Sequence, residues 1–187
     1  MKNVLIAGLI AILGGVALVA CGDKPESTGQ LKAGGSTSAT AQKPAADPLA
    51  PRYEATLAEG IDFRKPGYPN FLAEVSGMSA QEPWGRWSNG KLVTFRFKQP
   101  LPTKFTLVVS GGAAGTNINQ PFLVKAGAVE KEIKFAADPF SKPIPQRLSF
   151  QLDAPVNLIE ITVPNPSQPS SGDARKIGIG IITLKIE

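Results

Sequence analysis

Apolar and polar residues alternate along the chain from Ile61 onward, and this period of two is the feature that most restricts its fold. Such alternation is typical of strands with one face buried, and it recurs in short segments up to the last residues. The strands predicted in this way share one core, which comprises Val93, Phe95, Phe97, Phe105, Leu107, Val109, Ile133, Phe135, Leu148, Phe150, Ile159, Ile161, Ile182 and Leu184.

Short strands separated by turn residues, without a long helical pattern, predict an all-β fold. The chain contains 19 Gly and 17 Pro, a composition that favours turns. We expect a single antiparallel β-sandwich of the jelly-roll or carbohydrate-binding-module type. Asn89-Gly90 predicts a hairpin turn, and residues 125–128 predict a second one. Residues 71–75 predict a further short strand, and residues 52–59 predict one or two helical turns ended by Gly60.

The first part of the chain resembles a bacterial lipoprotein signal. Lys2 precedes an apolar, uncharged run over residues 4–20, and Cys21 follows it directly. The resemblance implies removal of residues 1–20 and acylation of Cys21, including a palmitate, which anchors the protein in a membrane. Because Gly22 rather than Asp follows the cysteine, the lipoprotein pattern favours the periplasmic face of the outer membrane over the inner membrane. The alternatives are an uncleaved spanning helix and a plain signal peptide.

Residues 21–51 are rich in small and polar residues and contain few large apolar side chains. A segment of this composition buries too little surface to offset its ordering entropy. We therefore predict three parts: a signal peptide over residues 1–20, a lipid-anchored disordered linker over residues 21–51, and a β-sandwich domain over residues 52–187.

The absence of histidine and the presence of one cysteine exclude several kinds of chemistry. They remove the usual zinc sites, Ser-His-Asp and Cys-His nucleophile systems, and an internal disulfide. We expect no metal, no cofactor and no catalytic residue. The net charge of +5 is spread along the chain without a dense Lys/Arg cluster, so nucleic acid is not an expected partner.

A cluster over residues 82–88 contains Trp84, Arg86 and Trp87, and Asp173 and Arg175 follow late in the chain. An indole can stack on the apolar face of a sugar ring, and a guanidinium or carboxylate can bind hydroxyl or anionic groups. These five residues are the predicted ligand-binding set. The alternative is that one or both indoles fill the sandwich, with Arg86 stacked on them.

The order of several motifs carries a resemblance to a known family. Gly-Tyr-Pro at residues 67–69, the cluster at residues 82–88, Pro-Asn-Pro at residues 164–166 and residues 173–180 occur in this order. The segment from Ile61 to Glu187 resembles the C-terminal β domain of membrane-bound phosphoglycerol-transferase-like proteins. This resemblance implies an accessory β-sandwich that operates near envelope glycans, and it does not carry transferase activity to this chain.

Glu82 and Asp173 are carboxylates in the two motif segments. Glu82 and Asp173 would form a glycosidase-like pair if their loops met across a sugar. The alternative is that either carboxylate pairs with Arg86 or Arg175 and links the two loops. Gly178 and Gly180 lie in a predicted strand and indicate a bulge or the close approach of a neighbouring group, such as an indole.

These observations predict an envelope lipoprotein whose tethered β-sandwich binds a glycan or glycolipid without catalysis. The second hypothesis is a protein-interaction module of an envelope assembly. The third is a glycan-modifying enzyme, or an accessory subunit of a phosphoglycerol-transferase-like system.

Overall fold

The computed structural model describes Leu49 and residues 51–136, 143–169 and 172–187. The predicted signal peptide, the lipidation site Cys21 and most of the predicted linker lie outside the described residues. In the part of the chain that is described, no helix has the length and apolar character needed to cross a bilayer.

The described residues form short β-strands and one 3₁₀ turn at Gly115–Asn117. The strands are β1 (Arg52–Tyr53), β2 (Ile61–Asp62), β3 (Tyr68–Pro69), β4 (Leu72–Ser76), β5 (Arg86–Trp87), β6 (Leu92–Leu101), β7 (Lys104–Ala113), β8 (Phe122–Ala126), β9 (Val129–Ile133), β10 (Gln146–Gln151), β11 (Val156–Thr162) and β12 (Ile179–Ile186).

Two five-stranded antiparallel sheets form the fold. The β12 sheet has the order β10-β7-β12-β2, and β5 pairs with a different part of β12. The β11 sheet has the order β4-β6-β11-β8-β9. Apart from the β8–β9 hairpin, each connection from β6 to β12 passes from one sheet to the other. The predicted all-β sandwich of jelly-roll type is confirmed.

The core consists of the inward-facing residues of both sheets in one cluster. Every residue of the predicted core is buried. Ile182 is buried but does not belong to the main cluster, because it lies at an irregularity of β12 between Ile181 and Thr183. Aromatic pairs reinforce the packing, as between Phe105 and Phe150, whose ring centroids are 5.1 Å apart.

The prediction of a hairpin at Asn89-Gly90 is wrong. The strand before it, β5, belongs to the β12 sheet, whereas β6 after it belongs to the β11 sheet. The dipeptide makes a crossing between sheets, with the Asn89 N–H donating to Gly77 O and the Gly90 N–H donating to Lys176 O. The second predicted hairpin is confirmed, since β8 and β9 pair antiparallel around Gly127, which has φ 59°.

Residues 52–59 differ in part from the prediction of one or two helical turns. They begin with strand β1, which pairs in parallel with β3. A single turn follows, in which the Thr56 N–H donates to the Glu59 carboxylate and the Glu59 N–H donates to Thr56 Oγ1. This reciprocal pair is a capping box. Gly60 ends the turn with φ 78°, as predicted.

The contacts of the domain extend back to Leu49, which packs against the core. Pro51 O accepts a hydrogen bond from the Tyr68 N–H at 3.2 Å. The end of the predicted linker therefore takes part in the packing of the β domain.

Candidate functional site

The predicted cluster begins with a tight turn over residues 82–85. The Glu82 N–H donates to Gly85 O at 2.8 Å, and the Gly85 N–H donates back to Glu82 O at 3.1 Å. Pro83 occupies the second position of this turn, where its fixed φ is favourable. The turn thereby places Trp84 two residues before the start of β5, which carries Trp87.

Strand register explains where the two indoles lie. Ile179 and Ile181 belong to the core cluster, so Gly180 between them faces the outer side of the β12 sheet. Trp87 pairs with Gly180 across the sheet and shares this outer face. A Cβ atom on Gly180 would lie 2.8 Å from both Trp84 Cη2 and Trp87 Cζ3. The absence of a side chain at Gly180 thus allows both rings to pack on the strand, and the predicted close approach of an indole is confirmed.

Trp84 and Trp87 form an edge-to-face pair with centroids 4.9 Å apart and planes at 61°. Both side chains are half-buried, and neither belongs to the core cluster. The alternative in which an indole fills the interior of the sandwich is therefore wrong, because the pair packs on the outer face of the sheet.

An ionic cluster joins this turn to the late loop. Arg175 Nη1 donates to Glu82 Oε1 at 2.7 Å, and Arg175 Nε donates to both carboxylate oxygens of Asp173. Trp84 Nε1 donates to the second Glu82 oxygen at 2.8 Å. One carboxylate therefore connects an indole to the guanidinium of a distant loop. The predicted salt bridge between the loops is confirmed for Glu82 and Arg175.

The charges in this cluster stabilise one another. Hydrogen bonds from the Arg175 side chain and from its backbone N–H lower the pKa of Asp173 below the ordinary carboxyl value. The hydrogen bonds to Asp173 and Glu82 raise the pKa of Arg175 further above its already high value. With two carboxylates and one guanidinium, the cluster carries a net charge of about −1.

Arg86 does not belong to this ionic cluster. It pairs with Ile181, so its side chain faces the inner side of the sheet and is 7% exposed. The guanidinium carbon lies 4.5 Å from the centroid of the buried Tyr68 ring, and Nη2 donates to Gly67 O at 3.4 Å. The buried Nε has no hydrogen-bond partner in the structure. Arg86 thus stacks on a tyrosine rather than on the tryptophans, on the opposite face from the indole pair.

Two buried polar residues that the sequence did not single out position the loops. Ser88 is fully buried, and its hydroxyl oxygen accepts the N–H groups of Gly178 and Ile179 at 3.0 and 3.1 Å. Asn117 is also fully buried; it donates to Asn165 O at 2.7 Å and accepts the Asn165 N–H at 2.9 Å. The only signal for Ser88 was its position at the end of the tryptophan cluster.

Of the five predicted ligand-binding residues, the structure thus brings together Trp84, Trp87, Asp173 and Arg175. It places Arg86 on the inner face of the same sheet, opposite the indole pair. Within residues 51–136, 143–169 and 172–187, no group of three or more acidic or cysteine side chains lies close enough to share a metal ion. The cluster offers aromatic surface together with hydrogen-bond donors and acceptors in fixed positions.

Comparison with known proteins places the β domain in a family. Residues 48–187 match the family described as "Domain of unknown function (DUF7024)". Phosphoglycerol transferase I from Salmonella typhi and the same enzyme from Salmonella typhimurium are each 34% identical to this chain over an alignment of 137 residues, which covers 69% of this chain. The chain spans 17% of the length of these relatives. The predicted resemblance to phosphoglycerol-transferase-like proteins is confirmed as homology to a segment of that enzyme.

Among solved structures, a mutant family 29 carbohydrate-binding module complexed with mannohexaose aligns with a TM-score of 0.43 and 16% identity, covering 67% of this chain and 86% of the module. The family match extends over all strands of both sheets. The chain belongs to the family described as a domain of unknown function, DUF7024.

Proposed function

We propose that this protein is a lipid-anchored envelope protein whose β-sandwich binds a glycan or glycolipid without catalysing a reaction. The observation that carries the proposal is the half-buried pair of Trp84 and Trp87 on the outer face of the β12 sheet, joined through Glu82 to the Asp173–Arg175 ion pair. Aromatic rings beside fixed polar groups suit a ligand that has both an apolar face and hydroxyl groups.

Each part of the cluster has a distinct role in this proposal. The indoles supply stacking surface, and the oxygens of Asp173 accept hydrogen bonds from sugar hydroxyls. Arg175 fixes both carboxylates and contributes donors at the rim of the site. Arg86, stacked on Tyr68 inside the sheet, supports the strand that carries Trp87 and does not contact the ligand.

The electrostatics favour binding over glycoside hydrolysis. A general acid in a glycosidase needs a raised pKa, whereas hydrogen bonds from Arg175 lower the pKa of Asp173. Glu82 is bound to the same guanidinium and to the Trp84 N–H. In this proposal Glu82 is a structural acceptor, Asp173 accepts hydrogen bonds from the ligand, and neither carboxylate catalyses a reaction.

The homology to phosphoglycerol transferase I supports a role for this chain in a phosphoglycerol-transfer system. The relatives are named phosphoglycerol transferase I, and this chain matches 17% of their length. We infer that the chain acts as an accessory glycan-binding unit in a system of this kind. Acylated Cys21 would hold it at the periplasmic face of the outer membrane.

The binding proposal is tested with the full chain, solubilised in detergent, on a glycan array and in a pull-down of envelope polysaccharide. Trp84→Ala should reduce binding by about tenfold, which corresponds to about 1.4 kcal/mol. The matched control is Phe71→Ala, which truncates a half-buried aromatic residue stacked on Phe97 in the other sheet and should leave binding unchanged. Equal binding by the parent and by a folded Trp84→Ala variant would exclude the indole pair as the site.

The anchor is tested separately. Cys21→Ser should abolish acyl labelling and leave a larger precursor, because the predicted processing requires the lipidated cysteine. Normal processing and membrane attachment of this variant would refute the lipoprotein assignment.

A further inference from the structure

The outer face of the β12 sheet carries a second surface at a distance from the tryptophans. Phe105 and Phe150 belong to the core cluster and are paired across β7 and β10. Because side chains alternate along a strand, Thr106 and Ser149 lie on the outer face, and their hydroxyl oxygens are 3.3 Å apart.

A cleft of about 480 Å³ lies at this end of the sheet. This volume is within the usual range of about 300–1,000 Å³ for ligand sites. Its polar lining is Lys104, Thr106, Ser149, Gln151 and Glu187.

The chemistry of the cleft is that of a hydroxyl-binding groove. It offers two hydroxyls, a carboxamide, an ammonium group and a carboxylate, and Glu187 is also paired with Arg147 at 2.6 Å. The two phenylalanines that border it are 5% and 2% exposed, so they offer a ligand almost no apolar surface. The polar groups of the lining give a ligand hydrogen-bond partners, and the aliphatic carbons of the same side chains give it apolar contact.

Strand geometry relates this groove to the indole pair. Gly112 on β7 pairs with Gly180, the residue on which both indoles pack, and it shares the outer face with Thr106. Gly112 follows Thr106 by six positions on β7, which is about 20 Å along an antiparallel strand. A single sugar or a lipid headgroup is too short to contact both the indole pair and the groove.

We propose that the groove of β7, β10 and Glu187 is a second contact site for the ligand of the tryptophan pair, and that this ligand is an extended, hydroxyl-rich chain. The inference rests on the proposed glycan-binding function and names its substrate class, an oligosaccharide or polysaccharide. The two sites together make affinity depend on chain length.

The test compares short and long fragments of size-fractionated envelope polysaccharide, titrated into the detergent-solubilised full chain. The parent should bind long fragments about tenfold more tightly than short ones, a difference of about 1.4 kcal/mol. The double variant Ser149→Ala with Gln151→Ala should lose this length advantage and keep its affinity for short fragments. Asn157→Ala is the matched control, because it removes an exposed carboxamide from a cleft on the other sheet.

The outcomes separate the two proposals. If the double variant keeps the length advantage while Trp84→Ala weakens binding as expected, the groove is not a contact site and the glycan-binding function stands. If the parent binds neither fragment class, both proposals fall. If Asn157→Ala loses the length advantage as well, the effect is not specific to the groove and the inference is refuted. Circular dichroism spectra verify that each variant is folded.

Discussion

Replacing Gly180 with alanine tests how the indole pair is held. The added Cβ atom would lie 2.8 Å from Trp84 Cη2 and 2.8 Å from Trp87 Cζ3. Carbon atoms pack best at about 3.5–4.0 Å, so both rings must move by at least about 0.7 Å. Since the rings lie on the outer face of the sheet, they can tilt away from the strand, and the backbone does not have to shift.

The expected stability change is small because two effects oppose each other. Inserting a methyl group into a packed contact costs about 1–3 kcal/mol. Alanine is favoured over glycine in a strand by about 0.5–1 kcal/mol. The half-buried rings place the contact term near its lower limit, so we expect a net destabilisation of about 1 kcal/mol or less. Urea unfolding measures this difference.

Circular dichroism can detect the movement of the rings. Two indoles with centroids 4.9 Å apart couple electronically and give a paired positive and negative band in the far-ultraviolet circular dichroism spectrum. Gly180→Ala should reduce this band pair, and it should weaken glycan binding about as much as Trp84→Ala.

The control for this prediction is Gly178→Ala. A Cβ atom there would lie 2.2 Å from Val163 Cγ1 in the core, and its next nearest neighbours belong to Asn117 rather than to an indole. This variant should be clearly destabilised and keep the band pair. An unchanged band pair in Gly180→Ala would refute the assignment of Gly180 as the support of the tryptophans.

Three further predictions concern the loops around the indoles. In a double-mutant cycle measured by urea unfolding, Glu82→Gln and Arg175→Met should show a coupling free energy of about 0.5–1 kcal/mol, because the ion pair is partly exposed. Additive effects of the two substitutions would show that the ion pair does not link the loops. Because Arg175 lowers the pKa of Asp173, the contribution of this pair to stability is present above the ordinary value of 3.8 and is lost as the pH falls through the lowered value. In an NMR titration of the carboxyl carbon, Arg175→Met should return the Asp173 pKa toward 3.8, and an unchanged titration would contradict the assigned cause. Asn117→Ala should lower the free energy of unfolding by about 2–3 kcal/mol, because it leaves the N–H and C=O of Asn165 without their partner; a loss below about 0.5 kcal/mol would contradict this role.

The period-two pattern predicted the long strands because each of them has enough residues to display it. Val93, Phe95 and Phe97 lie in a strand of ten residues and are all buried. Strands of two residues, such as β2 and β5, are too short to show any periodicity. Tyr68, a fully buried aromatic residue on β3, was therefore absent from the predicted core.

Sheet membership could not be predicted from local signals. Asn89-Gly90 favours a tight reversal of the chain, and that preference is the same whether the next strand joins the same sheet or the opposite one. The position of β6 between β4 and β11 depends on residues far away in the sequence. The turn signal was correct as a change of direction and wrong as a hairpin.

In the site, too, the sequence predicted which types of residue would pair but not which of two arginines would be the partner. The sequence predicted that Glu82 or Asp173 would pair with an arginine, since opposite charges in two loops commonly meet. It could not distinguish Arg86 from Arg175 as the partner. That distinction depends on the register of Arg86 with Ile181, which turns the Arg86 side chain inward.

Strand β12 has a consequence for the order in which the domain folds. It pairs with β7 along one side and with both β2 and β5 along the other, and all three of these strands precede it in the chain. None of these pairings can form until residues 179–186 have been synthesised, so the indole pair and its glycine support assemble late. Until then the earlier strands present unpaired edges, which are targets for proteolysis and for association between chains. Folding of this sheet is therefore expected to be slow and cooperative.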